Sequence, residues 1–264
     1  MSYTFTLRSA RSLSFDDVRA DLGVPDLAMA LAVASEGWPE GIIHLHREFV
    51  SARNVEVTKD KGTFEVRLMS MSAPEDTELA LRIVETVAAR LGVRTVDSEN
   101  FGELPVSELR VAHDDAWVRD QWESGASVVA AMIGQGRGPI TVPGARRSFV
   151  LGTRSIAELD TSDKLLARMR RVQWIEREGF RAAGVFEASK DDGRFTFAVL
   201  LPDEDIFIPV TDKIVIKDDA AIVFDRSKLA DVVGPRWEAL DECQGCFRAI
   251  SGADWNAVIG RARA

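Results

Sequence analysis

The chain has 264 residues, of which 46% are hydrophobic and 28% are charged, and its formal net charge is -9. This composition is that of a globular protein with one large or two modest cores, and it does not indicate intrinsic disorder. The excess of acids argues against a nucleic-acid partner, because phosphate binding depends on clustered Lys and Arg. No apolar run approaches the roughly 20 residues that cross a bilayer, and no secretion signal opens the chain, so we expect a cytoplasmic protein without a membrane partner.

The amino-terminal part of the chain predicts two strands and two helices. Apolar residues alternate from Tyr3 to Leu7, as in a strand with one buried face, and Ser14 is a candidate cap for the helix that follows. Residues 24–35 are rich in Ala, Leu and Met and lie between an early proline and a later glycine, which predicts a short helix. The second strand, near residue 45, carries His44 and His46 on one face.

The clearest pattern is a hairpin that leads into a capped helix and then a short strand at 94–96. Residues 64–68 alternate between apolar and charged side chains, and a similar run and a turn signal precede them. Ser72 is the candidate N-cap, with Glu75 three residues later as in a capping box, and Gly92 is the candidate left-handed stop. An apolar stripe at helical spacing predicts that this helix packs on a sheet. The stripe contains Leu79, Ile83 and Val87.

A helix that starts near Asp114 is predicted to break or restart at Ser124 and Gly125. The glycine-rich stretch at 134–139 resembles a phosphate loop only in composition, because it lacks GKS or GKT and leads into a strand, where a phosphate site requires a helix amino terminus. We interpret it as an interdomain loop, which places the domain boundary between residues 135 and 145.

The second half of the chain predicts one good helix, several short strands and short closing helices. Residues 160–163 offer several caps for the helix, and five apolar runs between 180 and 224 predict a meander-like antiparallel sheet. The sequence therefore predicts an α+β fold of two unequal lobes. Residues 1–135 form a lobe with the ββα unit, and residues 145–264 form a mostly antiparallel sheet with helices packed on one face.

The residue types that carry common chemistry are few. Cys243 and Cys246 have the CxxC spacing of a zinc or redox site, but zinc would need His44 and His46 as further ligands and a second CxxC is missing. We interpret the pair as two partly buried thiols and assign no metal and no cofactor. His113, followed by two aspartates, is either a polarised base or part of a solvated turn. The motifs GxSxG, HExxH and DxDxDG are absent, so no catalytic residue is assigned.

Four short segments combine apolar patterns with a few polar residues: SARNVEV at 51–57, SAPED at 72–76, RSFVLG at 147–152 and RVQWIE at 171–176. Together they resemble a bacterial family of uncharacterised proteins of similar length, over roughly residues 40–220. The resemblance implies a bacterial cytoplasmic protein of the kind encoded near secreted-toxin systems. It supplies no catalytic motif.

The charges are distributed unevenly along the chain. Between Glu187 and Asp225 ten acids accompany four bases, so this segment holds -6 of the net charge of -9. It is either a solvated face, partly neutralised by the arginines at 168–181, or a docking surface for a basic protein with Phe207 and Trp174 as apolar anchors. The residues predicted to bind the partner are Asp203, Glu204, Asp205, Phe207, Asp218 and Asp219.

The leading hypothesis from the sequence is a non-enzymatic protein-binding role. Its most specific form is an immunity protein, which would bind the basic domain of a cognate bacterial toxin through the acidic surface and block it. The alternative is an enzyme of unrecognised type with a site in the cleft between the lobes, near His113, Arg137 and the glycine-rich loop. Converging polar side chains in a cleft would favour the enzyme, and a flat or convex acidic face would favour the binding protein.

Overall fold

The computed structural model describes residues 2–29, 38, 41–159, 162–190, 193–218 and 220–264. It contains helices together with antiparallel and mixed sheets, which confirms the α+β fold. The chain forms two compact units. The first unit comprises Met1–Gly136, Pro143–Ser148 and Asp160–Gln173, and the second comprises Arg137–Val142, Phe149–Leu159 and Trp174–Ala264. The simpler division into consecutive lobes at 1–135 and 145–264 stays a prediction.

The strands are numbered in chain order. They are β1 (Tyr3–Arg8), β2 (Leu27–Met29), β3 (Ile42–Arg47), β4 (Val55–Asp60), β5 (Thr63–Leu68), β6 (Thr95–Ser98), β7 (Gly102–Pro105), β8 (Ile140–Val142), β9 (Phe149–Leu151), β10 (Arg181–Ala182), β11 (Val185–Lys190), β12 (Gly193–Leu200), β13 (Ile206–Ile208), β14 (Lys213–Lys217), β15 (Ala221–Asp225), β16 (Trp237–Ala239) and β17 (Gly245–Phe247). The helices are α1 (Phe15–Leu22), α2 (Pro74–Leu91), α3 (Leu109–Ala112), α4 (Asp115–Gly134), α5 (Thr153–Glu158), α6 (Ser162–Gln173), α7 (Leu229–Val233) and α8 (Ala253–Arg263).

The first unit is built on a seven-stranded antiparallel sheet in the order β2-β3-β4-β5-β1-β6-β7. The predicted hairpin is confirmed as β4 and β5, and the predicted sheet-packing helix is confirmed as α2. The buried stripe of α2 packs with the apolar face of the sheet, where Phe5, Phe64 and Val66 are fully buried. Strand side chains alternate between the two faces of a sheet. The residues between those of the core therefore point to the opposite face of this sheet.

Helix α2 begins later than predicted, and a different carboxylate caps it. Ala73 is the N-cap, and the carboxylate of Asp76 accepts a hydrogen bond from its backbone N–H at 2.9 Å. Ser72 Oγ is buried without a hydrogen-bond partner among the described residues, and Glu75 pairs with Arg170 instead. The predicted capping box of Ser72 and Glu75 is therefore wrong, and its two positions are taken one residue later by Ala73 and Asp76. Gly92 ends the helix with a φ of 66°, as predicted.

Two helix predictions in the first unit are wrong. Residues 27–29 form β2, which pairs with β3, because strand pairing and the Asp26–Arg47 ion pair at 3.0 Å outweigh local helix propensity; residues 30–37 lie outside the described part of the chain. Helix α4 continues through Gly125 without a break. A Cβ at Gly125 would lie 3.0 Å from the backbone N of Met71, so the glycine permits close packing and does not end the helix.

The second unit contains two four-stranded sheets and a two-stranded hairpin of β8 and β9. The β12 sheet has the order β11-β12-β14-β15, and the β13 sheet has the order β10-β13-β17-β16. Each includes one parallel pair, β12 with β14 and β10 with β13. The predicted antiparallel meander is therefore wrong. The alternation of apolar and polar residues shows which side chains share a face of a strand, but it does not show which strand is the neighbour.

One face of the β12 sheet builds the core of the second unit. Ala198, Leu200, Ile214 and Ile216 are buried there together with apolar residues of α7 and α8. This leaves the opposite face of the sheet uncovered by those helices. In neither unit does a described helix have the length and apolar character needed to span a membrane.

The packing of α2 on the sheet can be tested with a charge at its centre. Ile83 is fully buried, so Ile83→Asp would place an unpaired carboxylate in the core and lower the free energy of unfolding by about 4 kcal/mol or more. Val111→Asp is the control, because Val111 is 78% exposed and the change should cost about 0.5 kcal/mol or less. Urea unfolding of both variants measures the difference. Equal stability of the Ile83 variant and the wild type would contradict this packing.

Candidate functional site

The uncovered face of the β12 sheet is apolar. Strand register places Phe186 opposite Phe197, and it places Val199, Val215 and Val223 in one row across three strands. Phe195, two residues before Phe197 in β12, lies on the same face. We call this set the outer face: Phe186, Phe195, Phe197, Val199, Val215 and Val223.

The outer face is exposed to different degrees across the sheet. Phe186 and Val223, on the two edge strands, are each 52% exposed, and the four central side chains are half-buried. The rings of Phe186 and Phe197 stack with centroids 5.4 Å apart. Parallel strand pairs are usually covered on both faces, and contiguous exposed apolar patches mark interaction sites. The outer face is therefore an apolar patch that is partly exposed on a sheet with one parallel strand pair.

Charged side chains border the outer face. Lys213 lies in the row of Phe197 and forms an ion pair of 2.6 Å with Asp225. Lys217 follows Val215 on the same face and is exposed, with no ion-pair partner in the described ranges. Among the described residues, this border thus contains the neutralised pair of Lys213 and Asp225 and the unpaired cation of Lys217.

The three acids predicted at 203–205 lie in the turn before β13 and are largely paired within the second unit. Asp203 is exposed, whereas Glu204 forms an ion pair with Arg181 at 2.6 Å. Asp205 accepts hydrogen bonds from the Ala249 backbone N–H at 2.8 Å and from Arg248 at 2.6 Å. These two donors, the backbone N–H first, lower the pKa of Asp205 below its ordinary value. Local pairing reduces the long-range field that this turn could exert.

The other predicted partner-binding residues do not join that turn. Phe207 is fully buried in β13 and Trp174 is also buried, so the prediction that they are surface anchors is wrong. Their apolar character places them in the core, which polar neighbours in the sequence do not reveal. Asp218 follows β14 in the other sheet and pairs with Arg263 at 2.6 Å. Asp219 lies outside the described residues.

The CxxC segment is a tight turn organised by Asp241. Its carboxylate accepts hydrogen bonds from the backbone N–H groups of Cys243, Gln244 and Val150 at 2.7–2.8 Å. Burial raises the pKa of the Cys243 thiol, which disfavours the reactive thiolate. Cys246 is buried, and neither thiol is in a disulfide. Within the described ranges no group of three or more His, Cys, Asp or Glu side chains could hold a metal ion.

His113 is buried in a network of aromatic rings and is not part of a solvated turn. Its Nδ1 lies 2.8 Å from the Leu109 carbonyl oxygen, which can only accept, so Nδ1 donates and Nε2 of the neutral ring accepts. The hydroxyls of Tyr3 and Ser98 lie 3.0 and 3.1 Å from Nε2. Burial lowers the pKa of His113, which keeps the ring neutral. All three side chains are at most 4% exposed, so Ser98 and His113 are hydrogen-bonded like a nucleophile and its base but are closed to solvent.

A second buried polar cluster surrounds the start of α2. The backbone N–H of Arg53 donates to Asp76 at 3.0 Å, and its guanidinium donates to the carbonyl oxygens of Ser70 and Pro143. The side chain of Asn54 donates to the Gly144 carbonyl oxygen at 3.2 Å. Burial raises the pKa of Asp76 to about 6 and lowers that of Arg53 to about 10. The cluster fixes residues 143–148 within the first unit.

Gln173 completes this cluster from the end of α6. Its side-chain oxygen accepts from the backbone N–H groups of Arg146 and Arg147 at 2.8 Å, and its amide donates to the Arg147 carbonyl oxygen. Each of the four segments that carry the family resemblance thus contributes at least one residue to the cluster. Sequence reasoning missed it, although the polar residues inside those apolar segments were the available signal.

Comparison with protein-family models, with curated proteins and with solved structures finds no match to the chain. The resemblance to a bacterial family of uncharacterised proteins therefore stays a prediction.

The raised pKa of Asp76 predicts a specific dependence of stability on pH. The folded pKa of about 6 exceeds the ordinary value of 3.8, so the native state binds the extra proton between these values. This contribution to stability is complete below pH 4 and is lost as the pH rises through 6, by about 3 kcal/mol in total. Asp76→Asn removes the titrating group, so its stability relative to wild type should rise from pH 4 to pH 7.

Urea unfolding of both proteins between these pH values measures the effect. Asp17→Asn, at an exposed position of α1, is the control and should follow the wild type. Parallel pH profiles of the wild type and the Asp76 variant would show that Asp76 does not titrate in this range.

Proposed function

We propose that the chain is a protein-binding protein and that its partner covers the outer face of the β12 sheet. The observation that carries the proposal is the partly exposed set of aromatic and aliphatic side chains on that face, in which Phe186 and Val223 are each about half exposed. Contact with a partner would remove this apolar surface from water, which stabilises a complex by roughly 25 cal/mol for each Å² buried.

The chemistry of the partner follows from the face and its border. Its contact surface presents apolar side chains that fit the stacked rings of Phe186 and Phe197, which are held in place by the sheet and lose little freedom on binding. A carboxylate at the rim of the partner would pair with Lys217. Because a charge at the rim of an interface mainly affects association rate and specificity, the apolar contact supplies most of the affinity.

The enzyme alternative has one specific observation in its favour, the hydrogen bonds among Tyr3, Ser98 and His113. These groups are enclosed by Phe5, Phe101 and Trp117, whose rings lie within 5.1 Å of the Tyr3 or His113 rings. A nucleophile must reach its substrate, and a buried polar network that satisfies its own members stabilises one packing arrangement. We therefore favour a structural role for this network. A site between the lobes stays a prediction.

The immunity-type form of the hypothesis, with a basic toxin domain as partner, also stays a prediction. It relied on the acidic turns of the second unit, and Glu204, Asp205 and Asp218 are each paired with an arginine. A partner attracted by those turns would have to compete with Arg181, Arg248 and Arg263. The outer face requires no such exchange, so it is the better-supported binding surface.

The proposal predicts that Phe186→Ser combined with Val223→Thr abolishes partner binding and leaves the fold intact. Both positions are on edge strands and half exposed, so the cost to stability is small, about 1 kcal/mol or less. The variant, the wild type and the control Val111→Ser are purified from the native host under identical conditions. A protein recovered with the wild type and the control should fall by about tenfold or more with the double variant.

Two outcomes contradict the proposal. Equal recovery of the partner with all three proteins would place the binding surface elsewhere. Recovery of the chain alone, as a dimer by light scattering that the double variant loses, would show that the outer face joins two copies.

A further inference from the structure

The seven-stranded sheet of the first unit also has a second face, and its chemistry is opposite to that of the outer face. Helices α1 and α2 pack on the face that carries Tyr3, Phe5 and Leu7, so the residues between them point away from that core. Strand register aligns one row of this second face across six neighbouring strands. The row is Ile42, Thr58, Glu65, Thr6, Asp97 and Glu103.

The second face carries more carboxylates than cations. Its strands contribute five acids, Glu56, Asp60, Glu65, Asp97 and Glu103, and two arginines, Arg8 and Arg67. Each arginine approaches one acid, Arg8 with Asp97 at 3.7 Å and Arg67 with Glu56 at 3.3 Å. Neither Glu65 nor Glu103 has an ion-pair partner in the part of the chain that the structure describes. The face is therefore acidic after its internal pairs are counted.

Asp97 and Glu103 lie directly opposite each other on β6 and β7. Like charges at opposite positions of an antiparallel pair destabilise a sheet. The contact of Arg8 with Asp97 offsets part of this cost, and an external cation beside Glu103 would offset more of it. A depression of 320 Å³ adjoins them, lined by Thr6, Arg8, Val93, Thr95, Asp97 and Glu103. Its size is at the lower end of ligand-binding clefts, and its lining is polar.

We propose that this face is a docking surface for a basic segment of another protein, with one Lys or Arg side chain in the depression between Asp97 and Glu103. The choice of a cationic segment rests on charge complementarity. The depression is lined by two carboxylates against the single guanidinium of Arg8, together with two threonine hydroxyls, and Glu65 lies two strands from Asp97 in the same row. Neighbouring strands are about 4.8 Å apart, so successive cations of an extended segment can reach successive carboxylates.

This surface is independent of the proposed function. It lies in the first unit and is acidic and polar, whereas the outer face lies in the second unit and is apolar. Either surface can fail its test without affecting the other.

The test uses a synthetic peptide of alternating Arg and Gly as the probe and the full-length isotope-labelled protein. Backbone amide shifts in NMR spectra identify where the peptide binds. We expect shifts at β1, β6 and β7, and we expect added salt to weaken the binding. The double variant Asp97→Asn, Glu103→Gln should bind the peptide about tenfold more weakly. Its midpoint of thermal unfolding should equal or exceed that of the wild type, because the change removes the repulsion between two carboxylates at opposite positions of the sheet.

The matched control is Asp120→Asn with Glu123→Gln, which removes the same charge from exposed positions of α4. An equal loss of affinity in this control, or amide shifts spread over all acidic regions, would show that the peptide binds the acidic protein only by non-specific electrostatic attraction. Either result would overturn the proposal. If spermidine causes the same amide shifts as the peptide and binds with equal affinity, the ligand of this face is a small polyamine, and the proposal of a protein segment is wrong. Absence of binding by the peptide would also overturn it.

Discussion

A strand directs its side chains to two faces, and a helix layer can cover only one of them. In the first unit α1 and α2 cover the apolar face of the seven-stranded sheet, and in the second unit α7 and α8 cover the inner face of the β12 sheet. The folding of both units depends on these covered faces. The uncovered faces are under no such constraint, and they differ sharply: one carries Glu65, Asp97 and Glu103, and the other carries Phe186, Phe197 and Val223. The side chains on the open faces are therefore free to serve a purpose other than folding.

The buried polar groups have a different role. Asp76 and Arg53, the network around His113, and Asp241 all join backbone or side-chain groups that are distant in sequence. Their pKa values are shifted mainly by burial, and shifts of this origin occur in structural networks as well as in active sites. Because each cluster holds a loop or a strand in place, we attribute the unusual residues of the interior to the fold.

Local periodicity predicted much of this fold. The alternation from Phe64 to Leu68, the stripe of α2 and the left-handed Gly92 were all correct because each depends on neighbours within a few residues. Features that depend on tertiary contacts were missed. Asp76 takes the capping role predicted for Ser72, because its carboxylate accepts hydrogen bonds from the backbone N–H groups of both Arg53 and Ala73. Gly125 packs on Met71 and does not end a helix.

The candidate surfaces were harder to predict for the same reason. The acids at 203–205 and Phe207 stand together in the sequence, but β13 buries Phe207 while Arg181 and Arg248 neutralise two of the acids. The outer face brings together two hairpins, β11 with β12 and β14 with β15, which are joined by the parallel pairing of β12 and β14. No pattern within one strand could show that row.

We propose that a protein partner covers the outer face, and this proposal has a direct test. It is tested most directly by site-specific photo-cross-linking in the native host, with a photoreactive phenylalanine analogue placed at Phe186 and, as a control, at the exposed Val111. We expect one discrete adduct with another protein from position 186, which position 111 does not form. The same adducts from both positions, or an adduct with a second copy of this chain alone, would contradict it.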